Sequence, residues 1–283
     1  MLRTVFLKEL KYNLRNPLVY TFTLLFLLIG FFHFSNTNPS WNGLIHMGKV
    51  NRNSPYLVSN MLSTLSVISI FSIAFISGMS VLKDYKYNTQ FFFFTTPLRK
   101  SDYLSGRYAG SFLSILLIFI GGIIGIITGS YFAGNGINGV YKVSTYLIPS
   151  LVFIIPNIIF ISALFFAIGT LKQSTIYLYA ISIVFVIYLF ALQGFTADLL
   201  RNGLLENKLL LHFLSFIDPL GGNAFKMETV NWSLSLKNNQ MIPLSFLFLL
   251  QRFLWTVIGI LLLIVTNIKF KMDSESVKSN TDE

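Results

Sequence analysis

Long apolar runs alternate with short polar ones along almost the whole chain. A bilayer core of about 30 Å needs roughly 20 apolar residues in an α-helix. Six runs approach or exceed that length: about Leu18 to Phe34, Leu57 to Leu82, Gly110 to Ala133, Thr145 to Thr170, Ile176 to Gly194 and Pro243 to Ile268. The first is among the shortest, and the fourth is interrupted by Pro149 and Pro156. Proline kinks a membrane helix where neighbours satisfy the freed carbonyl. The pattern predicts an all-α integral membrane protein, a six-helix transmembrane bundle over residues 18–268. Between the fifth and sixth runs lies the longest non-membrane stretch, 195–242, with a helix-like part (Thr196 to Phe216) and a turn-rich part from Asp218, Pro219, Gly221 and Gly222. Residues 269–283 form a polar tail of disordered composition.

The residues before the first run, 1–17, have their own pattern. Leu2, Phe6, Leu10 and Leu14 recur at four-residue spacing with Leu7 nearby, and Lys8, Lys11 and Arg15 cluster roughly opposite. This is an amphipathic helix able to lie along headgroups, separated from the first span by Pro17. The plainer reading is a basic topology anchor. The mixed residues ahead of the apolar run, and the aromatics Phe31, Phe32 and Phe34 at its end, read as a retained anchor rather than a cleavable signal.

Composition changes the picture only by strengthening it. Of 283 residues, 54% are hydrophobic and 11% charged, against about 25% charged in soluble domains. The net charge of +10 raises the question of nucleic acid. The basic residues sit in short runs between apolar stretches, which fits headgroups and topology instead, so the lipid bilayer is an expected partner and nucleic acid is not. With the N-terminus inside, segments 1–17, 83–109, 171–175 and 269–283 carry 13 of the 21 Lys and Arg. Both termini are therefore expected on the cytoplasmic side. The chain has no cysteine, which excludes disulfides and thiolate-bound metals.

The spans hold no Asp, Glu or Lys, and only Arg252 lies within one, near enough to its outer boundary to snorkel. A proton or sodium relay has little to work with, so uphill transport would draw its energy from another subunit. There is no G-x-x-x-x-G-K-[ST] and no H-E-x-x-H. His33, His46 and His212 are scattered, and structural or solvent-exposed roles suit them better than a shared metal site. No cofactor and no enzymatic activity are expected. Gly121, Gly122, Gly125 and Gly129 place small residues at helical spacing in the third span, a signature of close helix packing.

The inner connection, 83–109, carries the most information. It reads Lys83-Asp84-Tyr85-Lys86-Tyr87, then Phe91, Phe92, Phe93 and Phe94, then Thr95-Thr96-Pro97-Leu98-Arg99-Lys100-Ser101-Asp102-Tyr103-Leu104-Ser105-Gly106-Arg107-Tyr108. Four consecutive phenylalanines in a polar loop need burial, in the headgroups or in a groove on a partner protein. Thr96 followed by Pro97 predicts a helix start leading into the third span.

This arrangement resembles the inner loop of ABC-2-type permeases, and the whole six-span pattern is similar to that family. Closer still is the similarity to the N-terminal permease half of fused ABC permease/zinc-aminopeptidase proteins. It rests on Asn53-Ser54-Pro55-Tyr56, Phe216-Ile217-Asp218-Pro219-Leu220-Gly221, Thr229-Val230-Asn231-Trp232 and Gln251-Arg252-Phe253-Leu254-Trp255. The sequence stops at Glu283, without the second half or the peptidase of those fusions. A free-standing half-permease and a fragment both fit.

The resemblance implies a permease subunit of an ABC exporter in a bacterial cytoplasmic membrane. Its partners would be a separate ABC ATP-binding subunit and a second permease half, identical or different. The loop would contain the coupling helix, with Phe91, Phe92, Phe93, Phe94, Thr96, Pro97, Arg99 and Lys100 at the ATPase contact. Arg99 and Lys100 fit equally as solvated charges. The N-terminal helix with Lys8, Lys11 and Arg15 would be the family's interfacial helix. Asp218, Pro219 and Gly221 read as a structural turn before a substrate site. A non-transporting scaffold or mechanotransmission subunit is the alternative from another class.

Overall fold

The computed structural model describes residues 1–35, 50–94, 98–133, 138–201 and 208–272. Among them the chain is helical throughout, without a strand. A short helix α1 (Leu2–Arg15) precedes α2 (Pro17–Ser35). Then come α3 (Pro55–Lys86), the short α4 (Gln90–Phe94) and α5 (Lys100–Phe132). Helices α6 (Val143–Pro149) and α7 (Ile155–Lys172) are joined by a π-helical segment, Ser150–Ile154. Helix α8 (Thr175–Arg201) is followed by α9 (Lys208–Ile217), α10 (Gly222–Thr229), α11 (Leu234–Asn239) and α12 (Phe246–Lys269). Six helical units among the described residues are long and apolar enough to cross a membrane: α2, α3, α5, α6 through α7, α8 and α12.

Local chemistry sets the ends. Ser54 caps α3 by accepting from the Leu57 N–H at 3.2 Å, with Pro55 in the first turn, and Ser245 caps α12 through Phe248 N–H at 3.2 Å. The left-handed Asn88 (φ 55°) and Gln173 (φ 49°) turn the chain just after α3 and α7. The prolines act as the sequence predicts. Pro149 and Pro156 each lack an N–H, and the π-helical segment lies between them. Its wider turns accommodate the lost i−4 bonds.

Helix α3 is the hub. Of its most apolar window 78% is buried within the protein, against 22% for α2, α8 and α12. Leu62, Leu65, Ile70 and Ile73 fill the centre with Phe26, Phe119 and Phe165. Four buried serines of α3 bond within the helix: Ser59, Ser66, Ser69 and Ser72 donate to carbonyls three or four residues back. Helix α2 packs along α5 and barely touches its sequence neighbour α3. The glycines of α5 make this possible, since a Cβ on Gly121, Gly125 or Gly129 would strike the backbone of Thr23, Leu27 or Phe31.

The helices outrun their sequence-based limits. Helices α3 and α5 have 32 and 33 residues, each roughly 50 Å long at 1.5 Å per residue and so longer than the hydrocarbon core. The expected connection 83–109 is thereby reduced to the residues between Lys86 and Lys100. Helix α8 continues to Arg201, and the helix expected over Thr196 to Phe216 is instead the end of α8 plus a separate α9. Helix α5 begins at Lys100 with Arg99 in the cap position. Leu98 and Arg99 are not helical, and the helix start expected at Thr96-Pro97 falls outside the described residues.

Candidate functional site

Two polar clusters are buried at opposite ends of the bundle. The first joins α1, α3 and α5. Glu9 is fully buried on α1 and accepts from Lys83 Nζ with both carboxylate oxygens at 2.7 Å. It also accepts from Arg107 and, at 3.1 Å, from Ser80 Oγ. Arg107 reaches Asp84 with its other terminal nitrogen, and the Tyr103 hydroxyl donates to the same Asp84 oxygen. Two cations thus face two carboxylates out of water. Lys83 lies 3.9 Å from the Tyr12 ring centre, and Arg107 lies 5.0 Å from that of Phe93.

Gly106 and Gly110 let α1 approach α5 closely enough for this. A Cβ on Gly106 would fall 2.8 Å from Val5 Cβ, and one on Gly110 would fall 2.7 Å from Glu9 Cβ. The buried stripe of α1 is therefore Val5, Glu9 and Asn13. Leu2 and Leu7 are exposed and Phe6, Leu10 and Leu14 half-buried, so the face drawn from the apolar spacing flanks the buried stripe and stays partly uncovered by the protein. Lys8, Lys11 and Arg15 are exposed, as the wheel places them.

The phenylalanine segment is attached to this cluster. Thr89 N–H donates to the Asp84 carbonyl at 2.8 Å, and Thr89 Oγ1 to Asp84 Oδ1 at 3.2 Å. The next residue, Gln90, opens α4. Phe91 is 38% and Phe92 76% exposed, whereas Phe93 turns inward onto Tyr103, ring centres 5.6 Å apart. Phe94 closes α4. Thr96 and Pro97 lie outside the described residues. Arg99 is exposed. Lys100 holds the end of α12, its Nζ donating to the carbonyls of Phe270 at 3.1 Å and Ile268 at 3.4 Å.

At the far end, Arg252 is 4% exposed and does not snorkel. Its guanidinium donates to the Leu220 carbonyl (2.8 Å), the Pro219 carbonyl (2.9 Å), Asn157 Oδ1 (2.8 Å) and Gln251 Oε1 (2.6 Å). The turn it grips is shaped by Asp218, which accepts from the backbone N–H groups of Leu220 (3.0 Å) and Asn223 (2.7 Å). Gly221 at φ 74° completes it. Burial pushes the Asp218 carboxyl above its ordinary range, against the pull of the Asn223 N–H and Arg252. Asn157 ties the cluster to α3 through Ser66 Oγ at 2.9 Å. The Asp218-Pro219-Gly221 segment is thus a buried structural turn.

Other sequence candidates stay apart. His33 lies on α2 and His212 on α9, and His46 lies outside the described residues. Among the described residues no three His, Cys, Asp or Glu side chains group to hold a metal. The ion cluster was not anticipated from sequence. Its traces are there: Glu9 is the sole acid among residues 1–17, and the Val5-Glu9-Asn13 and Tyr103-Arg107 spacings each put side chains on one helix face. No protein-family model matches the chain, and no curated protein matches it.

Proposed function

We propose that this chain is the membrane subunit of an ABC-2-type exporter, driven by a separate P-loop ATPase and paired with a second permease half. One observation carries the reading. Phe91 and Phe92 project from α4, while Thr89 and Phe93 bind the same segment to Asp84, Tyr103 and Arg107. Arg107 continues the connection to Glu9 on α1. An apolar knob so mounted suits a groove on a partner. A push on it is delivered to α1, α3 and α5 together rather than lost in a loop.

In this reading α4 and its flanks form the coupling element. ATP-driven closure of the ATPase displaces α4, and the ion cluster passes the motion to the spans. Helix α1 serves as the interfacial helix, its exposed Lys8, Lys11 and Arg15 facing anionic headgroups. Arg99 remains available to an acidic partner surface, while Lys100 is committed to α12. Both termini and α4 face the cytoplasm. The broad apolar faces of α2, α8 and α12 are covered by lipid or by the second half. The chain itself performs no catalysis and holds no cofactor.

The test is affinity capture of the tagged full chain from its native membranes, beside a Phe91→Ser/Phe92→Ser variant at equal abundance. Recovery of a P-loop ATPase with the parent, and its loss from the variant, is the expected result. A parent that recovers no such ATPase removes the energy source and overturns the proposal.

A further inference from the structure

We propose that the cleft between α1, α3 and α8 binds the headgroup of an anionic phospholipid. The cleft has a volume of about 330 Å³ and opens beside the ion cluster at the α1 end of the bundle. It lies apart from the exposed face of α4, and the inference does not depend on an ATPase partner.

Its lining is one-sided in charge. Lys83 and Lys86 contribute cations, and no carboxylate lines the cleft. Lys83 is already engaged by Glu9, but Lys86 is exposed and makes no ion pair among the described residues. Thr175, which opens the 27-residue α8, also lines it, and the first turn of that helix has no acidic residue. The leading N–H groups of a helix lack intrahelical acceptors and favour an anion.

A second observation points to a ligand. Asn13 is 4% exposed, lines the cleft, and its Nδ2 finds no acceptor in the protein. A buried amide donor without a partner is costly and calls for an occupant that accepts hydrogen bonds. A phosphodiester beside Lys86 supplies acceptors for it.

The shape of the cleft selects a lipid over a soluble phosphate. One face of α3 runs from Phe75, Ile76 and Met79 at its apolar part to Lys83 and Lys86 at its end. Eleven residues separate Phe75 from Lys86, about 16 Å along the helix at 1.5 Å per residue. That is apolar wall for the upper acyl chain, then cation for the phosphate. Tyr12, Tyr87 and Tyr179 also line it, beside Asn16, as amphipathic aromatics do at a headgroup boundary.

The test is native mass spectrometry of the purified full chain with phosphatidylglycerol or phosphatidylcholine of matched acyl chains. The parent is compared with Lys86→Glu, with Met79→Trp, which fills the apolar section, and with Lys142→Glu, an exposed charge at the start of α6 and outside the cleft. Thermal unfolding establishes that each variant is folded. The parent is expected to retain phosphatidylglycerol preferentially, and Lys86→Glu to weaken this roughly 5- to 30-fold. Met79→Trp lowers binding of both lipids, and Lys142→Glu changes it little. Equal losses in Lys142→Glu and Lys86→Glu would show diffuse surface attraction and overturn the site. So would unchanged binding in Lys86→Glu. Displacement of phosphatidylglycerol by millimolar inorganic phosphate would replace the lipid assignment with a soluble phosphate.

Discussion

At the α1 end, Glu9, Lys83, Asp84 and Arg107 hold one another through side chains on three helices; at the far end, Arg252 is held by the carbonyls of one turn and by two side-chain amides. Both solve the problem of charge in a low-dielectric interior, where an unpaired ion costs several kcal/mol. They solve it with different mechanical results. Side-chain partners can be exchanged as helices shift, and the α1-end cluster includes a buried Arg107 Nε without a partner. Main-chain carbonyls are fixed by the fold, so the Arg252 clamp locks α7, α12 and the Asp218 turn into one piece. The end that carries the exposed phenylalanines is thus the one joined by side chains alone.

The largest way to break the comparison is Arg107→Leu. It strands Asp84 as a buried carboxylate without a cation and leaves Glu9 to Lys83 alone, and unfolding in detergent should show a loss of about 3–5 kcal/mol. Arg252→Leu comes next. It leaves two carbonyls and two amides short of a donor, and the same assay should register about 2–3 kcal/mol. Arg252→Lys should recover little of this, because a single ammonium cannot span four acceptors. A lysine variant as stable as the parent would contradict the clamp. The smallest effect sharpens the contrast. Glu9→Leu and Lys83→Leu combined should cost less than the sum of the single changes by about 1–3 kcal/mol, since together they leave the Arg107–Asp84 pair neutral and intact. Additivity of the two would show that Glu9 and Lys83 are not a coupled pair.

The spans were legible because lipid imposes a length and a composition, and residues such as Ile176 to Gly194, largely uncovered by the protein, have no other solvent. The proline break in the fourth span was equally readable, being local. What escaped was long-range. Nothing near Glu9 in sequence announces that its partners are Lys83 and Arg107, on α3 and α5. Four-residue leucine spacing in α1 drew attention to one face and left the neighbouring Val5-Glu9-Asn13 stripe unread, since period alone does not weigh one buried carboxylate against several leucines. Arg252 looked like a boundary residue because the turn that folds over it is polar in composition but buried in fact. The limits of 83–109 were misplaced for a related reason: Lys83, Asp84 and Arg107 look like loop residues until their charges are seen to cancel.

The glycine face of α5 bears on how the protein is made. Helix α2 is finished at Ser35, but the groove that receives it is completed only at Gly129. At about 5–20 residues per second, that interval is roughly 5–20 s of chain growth. Throughout it α2 stands alone in lipid, which suits a segment of 19 residues and mean hydropathy 1.9 in its apolar window. The first of the six helices in sequence therefore finds its groove only once the third has been made, while Glu9 on α1 can already meet Lys83 when α3 is complete.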